Sequence, residues 1–208
     1  MVHGDNKGLR LPPKVAPVQI VIIPIIKNEN DMAEIREFLK PLIGNLEEKG
    51  VRLQLDDRLK VSPGFKFNEW EMKGVPIRVE AGPRDMESGT VLCARRDTGE
   101  KESLKITSSG EKLIQLLDEI QSNLYNQALE FREKNTISAD TYDEFKSLIE
   151  AGGFIRCGWD GNANSETAVK SETKATIRCI LQDENVDDLL CIYSGNPAKY
   201  KVIFARAY

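Results

Sequence analysis

PGFKFNEWEMKGVPIRVEAGPRD, residues 63–85, crowds aromatics, alternating charges and three Gly or Pro breaks into one run. Ser62-Pro63 suits a helix start, Phe67 and Trp70 sit three apart as on one helical face, and Gly74 stops the helix before VPIRVEAG (75–82) begins a strand. The run therefore predicts helix, turn, strand and a Gly-Pro turn, and its neighbours decide what sheet that strand joins.

Upstream, VQIVIIPII (18–26) is a β-branched run expected as a strand buried on both faces, central to a sheet. DMAEIREFLKPLIGNLEEKG (31–50) starts at a good N-cap, Asp31, and places Ile35, Phe38, Leu39, Leu42, Ile43 and Leu46 at helical intervals until Gly50, with Pro41 as a potential kink. VRLQL (51–55) alternates as a short strand, so the order β-α-β predicts a crossover to a parallel neighbour.

Downstream, TVLCARRD (90–97) and ESLKI (102–106) predict two more strands. A long amphipathic helix from Glu111 to Lys134 follows, with Leu113, Leu116, Leu117, Ile120, Leu124 and Leu129 along one side; it is expected to join two domains. The second unit opens with a capped helix in DTYDEFKSLIEAGG (140–153). FIRCGWD, ATIRCIL, LLCIYS and KVIFARAY then read as strands around a polar loop, DGNANSET (160–167), an α+β pattern.

Composition sets outer limits. At 208 residues, 40% hydrophobic and 30% charged, the chain can bury the core of one large or two small domains. A net charge of -4 excludes a generally basic nucleic-acid coat while permitting a local basic face. The run 18–26 is far short of the ~20 apolar residues that span a bilayer. No targeting segment is visible, and Cys93, Cys157, Cys179 and Cys191 form no C-x-x-C pair. Cytoplasmic localisation is expected, with no membrane partner.

Motifs of self-contained catalysis are lacking: there is no Walker loop, no G-x-G-x-x-G and no nucleophile elbow, and the lone His3 reads as a plain polar residue. Gly-Pro-Arg-Asp (82–85) and the Arg95-Arg96 pair suit either a solvated strand edge or guanidinium groups around an anion or base edge. Glu71 and Arg78 carry the same ambiguity: surface residues by periodicity, yet a carboxylate accepts from guanine N1 and N2 and an arginine donates to O6 and N7. Phe67 and Trp70 read as packing residues. A small enzyme using Cys93 or Cys157 stays open as a weaker reading.

Several ordered blocks narrow these choices: HGDNKGLRLPPKVAP (3–17), the buried strand, PGFKFNEWEMKGVPIRVEAGPRDMESG, RRDTGEK (95–101) and the terminal SGNPAKY and ARAY. Together they resemble the C-terminal region of prolyl-tRNA synthetases of the archaeal and eukaryotic type. The resemblance implies an α/β fold: a class IIa synthetase anticodon-binding domain, a five-stranded mixed sheet with flanking helices, followed by a smaller α+β domain. It divides the chain into residues 1–14, a tail of the catalytic domain; 15–134, the anticodon-binding domain with its connecting helix; and 135–208, the C-terminal domain. It assigns anticodon binding to Glu71, Arg78 and Arg84, leaves Arg95 and Arg96 as RNA phosphate contacts, and sends the terminal carboxylate of Tyr208 toward the active site.

The partners implied are the anticodon loop of tRNA(Pro) and a missing catalytic domain, in a homodimeric parent that uses ATP and magnesium to attach proline to tRNA. DNA is not an expected partner. The chain alone is expected not to aminoacylate and to hold no catalytic residue. Some family members bind a structural zinc through C-x4-C and C-x2-C pairs. Here those positions hold Asp160, Ser165, Cys191 and Ser194, one thiolate of four, so zinc is expected to be absent. A freestanding, non-enzymatic RNA- or protein-binding module of the same fold is the alternative.

Overall fold

The computed structural model describes residues 3–26, 29–182 and 184–206, with Glu29 and Asn30 described in backbone only. Internal contacts divide the chain into two units, Met1–Gln127 and Ala128–Tyr208.

The first unit begins with strands β1 (Gly4–Asp5) and β2 (Gly8–Leu9), an antiparallel hairpin where composition alone shows only a Gly- and Pro-rich lead-in. β3 (Ile20–Pro24) is buried at every position. α1 (Glu29–Glu48) starts two residues before the expected Asp31 cap, which falls instead in the first turn, where a negative charge suits the helix N-terminus. The helix runs through Pro41, whose missing N–H costs one internal hydrogen bond. β4 (Leu53–Leu55) returns parallel to β3, as the crossover pattern requires.

The stretch quoted first forms α2 (Pro63–Met72), β5 (Ile77–Ala81) and α3 (Pro83–Ser88). Ser62 caps α2 by accepting from the Phe65 N–H. The Gly-Pro-Arg-Asp turn is a short helix, because Asp85 accepts the Gly82 N–H, Pro83 occupies the first helical position and Gly89 closes the end at φ 65°. β6 (Thr90–Arg95) and β7 (Lys101–Lys105) follow, then α4 (Ile106–Lys134).

The sheet order is β4-β3-β5-β6-β7, with β3 parallel to β4 and β5, and β6 antiparallel to β5 and β7. Alternation sorts its two faces. On one, Ile20, Ile22, Ile77, Val79, Val91 and Cys93 meet Ile35, Leu39 and Leu46 of α1 and Leu113, Leu117 and Ile120 of α4. Each such side chain contributes roughly 1.5–3 kcal/mol of burial free energy. On the other face α2 covers only Val21 and Ile23 with Trp70 and, partly, Phe67.

In the second unit, β8 (Thr136–Ser138), β9 (Phe154–Trp159), β10 (Ala175–Leu181) and β11 (Tyr200–Arg206) form a sheet ordered β10-β11-β9-β8, with β8 parallel to β9. α5 (Tyr142–Ala151), capped by Thr141, and α6 (Ala163–Thr173) complete it. Phe145, Ile149, Ile155, Val169, Val202 and Phe204 are its core.

Three sequence expectations change here. DGNANSET is a loop only over residues 160–162: Asn162 accepts the Asn164 N–H and caps α6, which takes in the rest of the stretch. LLCIYS is no strand, because the Gly195 N–H donates to the Cys191 carbonyl and the Cys191 N–H to the Asn196 carbonyl, folding the chain back on itself. The division between units falls seven residues before the expected 134, within α4, which runs unbroken through it. Tyr208 lies outside the described residues.

Candidate nucleic-acid interface

Register places Val21, Arg78, Ala94 and Lys101 side by side across β3, β5, β6 and β7 on the α2 face. α2 covers only the β3 end of this row. The uncovered remainder is a cleft of about 210 Å³, walled by Trp70, Glu71, Arg78, Arg96, Lys101 and Lys7. Glu71 reaches it because α2 ends one residue later, and Arg78 because it is the second residue of β5.

Arg78 is held in place from two sides. Its guanidinium stacks 4.3 Å from the centroid of the Phe67 ring and donates from Nε to Glu80 Oε1 at 3.0 Å. The ammonium of Lys101 lies 3.5 Å from the same carboxylate oxygen. One buried carboxylate thus aligns two cations that both line the cleft. Glu71 pairs with Lys7 Nζ at 3.4 Å.

The structure brings Glu71 and Arg78 together and leaves Arg84 apart. Arg84 is exposed in the first turn of α3, beyond the far end of β5, and lies outside the cleft wall. With strand rise near 3.3 Å per residue, that puts it more than about 10 Å from Arg78. Lys101, not Arg84, lines the cleft beside Arg78. It was invisible to sequence reasoning because only the β5-β6-β7 register brings it beside Arg78.

Arg95 and Arg96 are both engaged within the chain. Arg95 donates to Asp97 at 3.0 and 2.8 Å and to Glu119 at 3.3 Å. Burial raises the Asp97 pKa, but hydrogen bonds from Arg95 and Asn123 outweigh it and hold the carboxyl below its ordinary range. Arg96 forms a bidentate pair with Asp5 at 2.8 and 2.7 Å and donates to the Glu71 carbonyl at 3.1 Å. These guanidinium groups frame the cleft and have few donors left for phosphate.

Neither Cys93 nor Cys157 is a nucleophile of low pKa. Cys93 and Cys157 are buried, and burial pushes each thiol up to about 12.

In the second unit the four positions where the resemblance implies zinc ligands do converge, but as a hydrogen-bonded cluster. Asp160 accepts from Ser165 Oγ at 3.0 Å, Ser194 Oγ at 2.7 Å and the Asn162 N–H at 3.0 Å. The Cys191 thiol adds a further bond. Burial raises the Asp160 pKa, and these donors more than reverse it. A carboxylate saturated by two hydroxyls and a thiol does not fit zinc, which takes deprotonated thiolates or imidazoles in such sites. No group of three or more metal-ligating side chains occurs among the described residues.

Among the described residues no helix is long and apolar enough to cross a membrane. Residues 19–116 match the family described as "Anticodon binding domain", and residues 142–208 the family "Prolyl-tRNA synthetase, C-terminal". Proline–tRNA ligase of Porphyromonas gingivalis is 46% identical over 208 residues, covering 100% of this chain and 42% of the relative. That of Rubrobacter xylanophilus is 48% identical over 210 residues, covering 100% of this chain and 43% of the relative. The crystal structure of prolyl-tRNA synthetase from Cryptosporidium parvum complexed with L-proline and AMP superposes with a TM-score of 0.89 at 36% identity, covering 100% of this chain and 44% of that one. The chain thus spans less than half the length of these relatives. Residues 19–116 therefore belong to the anticodon-binding domain family and residues 142–208 to the C-terminal domain family of prolyl-tRNA synthetases.

Proposed function

We propose that the cleft on the α2 face reads guanine edges in the anticodon loop of tRNA(Pro), and that the chain is the RNA-binding region of a proline–tRNA ligase. The observation that carries the reading is the convergence of an acceptor-only carboxylate, Glu71, with the donor-only groups of Arg78 and Lys101 around one open cleft. Guanine presents N1–H and N2–H to such a carboxylate and O6 and N7 to such cations, whereas adenine sets an acceptor, N1, against the carboxylate and a donor, N6, against the cations, and shares only N7. An unstacked loop exposes those edges, and a paired stem hides them.

Arg84, exposed and outside the cleft, is left to contact the RNA backbone from beyond it. In the parent enzyme the chemistry is attachment of proline to tRNA with ATP and magnesium, in a cytoplasmic homodimer. Those steps belong to residues outside this chain.

The deciding experiment is a titration of the 208-residue chain with the proline anticodon stem-loop and with an adenine-substituted loop at fixed salt. Glu71→Gln should weaken cognate binding by roughly 1–3 kcal/mol and shrink the difference between the two RNAs. Equal loss on both RNAs would remove Glu71 as a reader of bases.

A further inference from the structure

We propose that the β1–β2 hairpin is a working part of the RNA surface, with Lys7 as a phosphate-contacting residue at the cleft wall and the Asp5–Arg96 pair as the device that holds it there. The proposal rests on the anticodon-loop reading above.

The hairpin is fitted to the end of α2 more tightly than a side chain would allow. Gly8 has φ +129°, and a Cβ on it would stand 2.5 Å from Met72 Cα. Gly74 has φ +75°, and a Cβ there would stand 2.6 Å from Leu9 Cβ and 2.7 Å from the Leu9 carbonyl carbon. Two glycines therefore let the hairpin and the last turn of α2 interlock, with the Leu11 N–H donating to the Gly74 carbonyl at 3.3 Å.

Arg96 fastens the same junction. Its side chain is only 7% exposed, and it joins Asp5 of the hairpin to the backbone carbonyl of Glu71. Asp5 Oδ1 in turn accepts the Lys7 N–H at 2.8 Å, fixing the tight turn that carries Lys7. Each bond acts on the segment that presents Lys7 or on the residue it faces.

Charge gives Lys7 its role. The cleft is walled by five cations, Lys7, Arg78, Arg95, Arg96 and Lys101, and the last four are held by buried carboxylates or by Asp5. Lys7 is 68% exposed, and its ion pair with Glu71 is a surface contact. Such pairs contribute about 0–1 kcal/mol, so the ammonium leaves Glu71 at little cost. Without RNA it offsets a carboxylate that would repel phosphates. When guanine donates to Glu71, Lys7 is released to a neighbouring phosphate, and both groups stay paired.

The test uses the 208-residue chain and the proline anticodon stem-loop, titrated across a salt series. Lys7→Ala should weaken binding about three- to tenfold at low salt and lower the slope of log K against log salt by about 0.7, the single-strand value for one phosphate contact. Discrimination against the adenine-substituted loop should be retained. Asp5→Asn should lose the same slope although Lys7 is still present; a merely structural Asp5 would lower the unfolding midpoint and leave the slope intact. Wild-type binding with an unchanged slope in Lys7→Ala overturns this proposal alone. No wild-type binding to the stem-loop overturns the anticodon reading and takes this one with it.

Discussion

The indole N–H of Trp70 donates to Asp56 Oδ2 at 2.7 Å, tying the last turn of α2 to the residue just past β4. The same carboxylate accepts from Arg58 at 2.8 and 2.6 Å, and Lys66 Nζ lies 3.6 Å from it while donating to the Asp56 carbonyl at 2.9 Å. Asp56 and Lys66 are both buried. This hub sets how α2 lies on the sheet, and hence where Glu71 stands in the cleft.

Removing one partner from such a buried pair leaves the other uncompensated. Asp56→Ala should therefore cost about 3–5 kcal/mol in chemical denaturation, far more than an exposed ion pair. A loss below about 1 kcal/mol would mean that the hub is solvated.

Acid should expose the same hub. The Arg58 hydrogen bonds, with Trp70 and Lys66, hold the Asp56 carboxyl well below its ordinary value of 3.8 despite burial. Because the folded pKa is depressed, its stabilisation is full above the unfolded value and is lost as pH falls toward the folded one. Denaturation midpoints followed below pH 4 should fall more steeply for the wild type than for Asp56→Asn. Parallel curves would count against the hub.

Lys101 and Arg84 separate two accounts of the cleft. We expect Lys101→Ala to weaken stem-loop binding by roughly 1–3 kcal/mol and Arg84→Ala to change it by less, since only Lys101 lines the cleft. The reverse order in a binding titration would place the base-reading cation on α3.

Thiol chemistry bears on the alternative of a small cysteine enzyme. With thiols raised to about 12 and side chains buried, Cys93 and Cys157 should resist iodoacetamide at pH 8 in the folded protein, while the exposed Cys179 is labelled first. Mass spectrometry of the alkylated peptides reads the order directly. Rapid labelling of Cys93 or Cys157 would revive that alternative.

The Asp160 cluster predicts folding without zinc. Protein purified without chelator should carry far less than one zinc per chain, and chelation should leave its unfolding midpoint unchanged. Asp160→Cys, Ser165→Cys and Ser194→Cys combined would set four thiolates around one point with Cys191 and should gain zinc measured by elemental analysis. Stoichiometric zinc in the unaltered chain would refute the hydrogen-bonded reading.

Much of the fold was legible because its signals are local. The β-branched run at Ile20–Pro24 implied a strand buried on both faces, the spacing of Ile35, Leu39, Leu42 and Leu46 implied an amphipathic helix, and Ser62-Pro63 marked a helix start. Ordered blocks of sequence also pointed to the family. Where a local signal was shared by two outcomes, it misled: the larger part of DGNANSET became a helix through one Asn162 cap, and LLCIYS became a folded-back loop through two backbone hydrogen bonds.

The site itself depended on partners remote in sequence. Arg95-Arg96 looked like free charge until Asp97 and Glu119 took one guanidinium and Asp5, 91 residues away, took the other. Lys101 entered the cleft and Arg84 stayed outside it because strand register, not spacing along the chain, decides which side chains stand in one row. Periodicity and capping are properties of neighbouring residues, so the sequence alone specified most of the elements and which of their faces are apolar. Pairing a charge or filling a cleft requires groups from different elements within a few ångströms, and only the packed sheet and helices bring them that close.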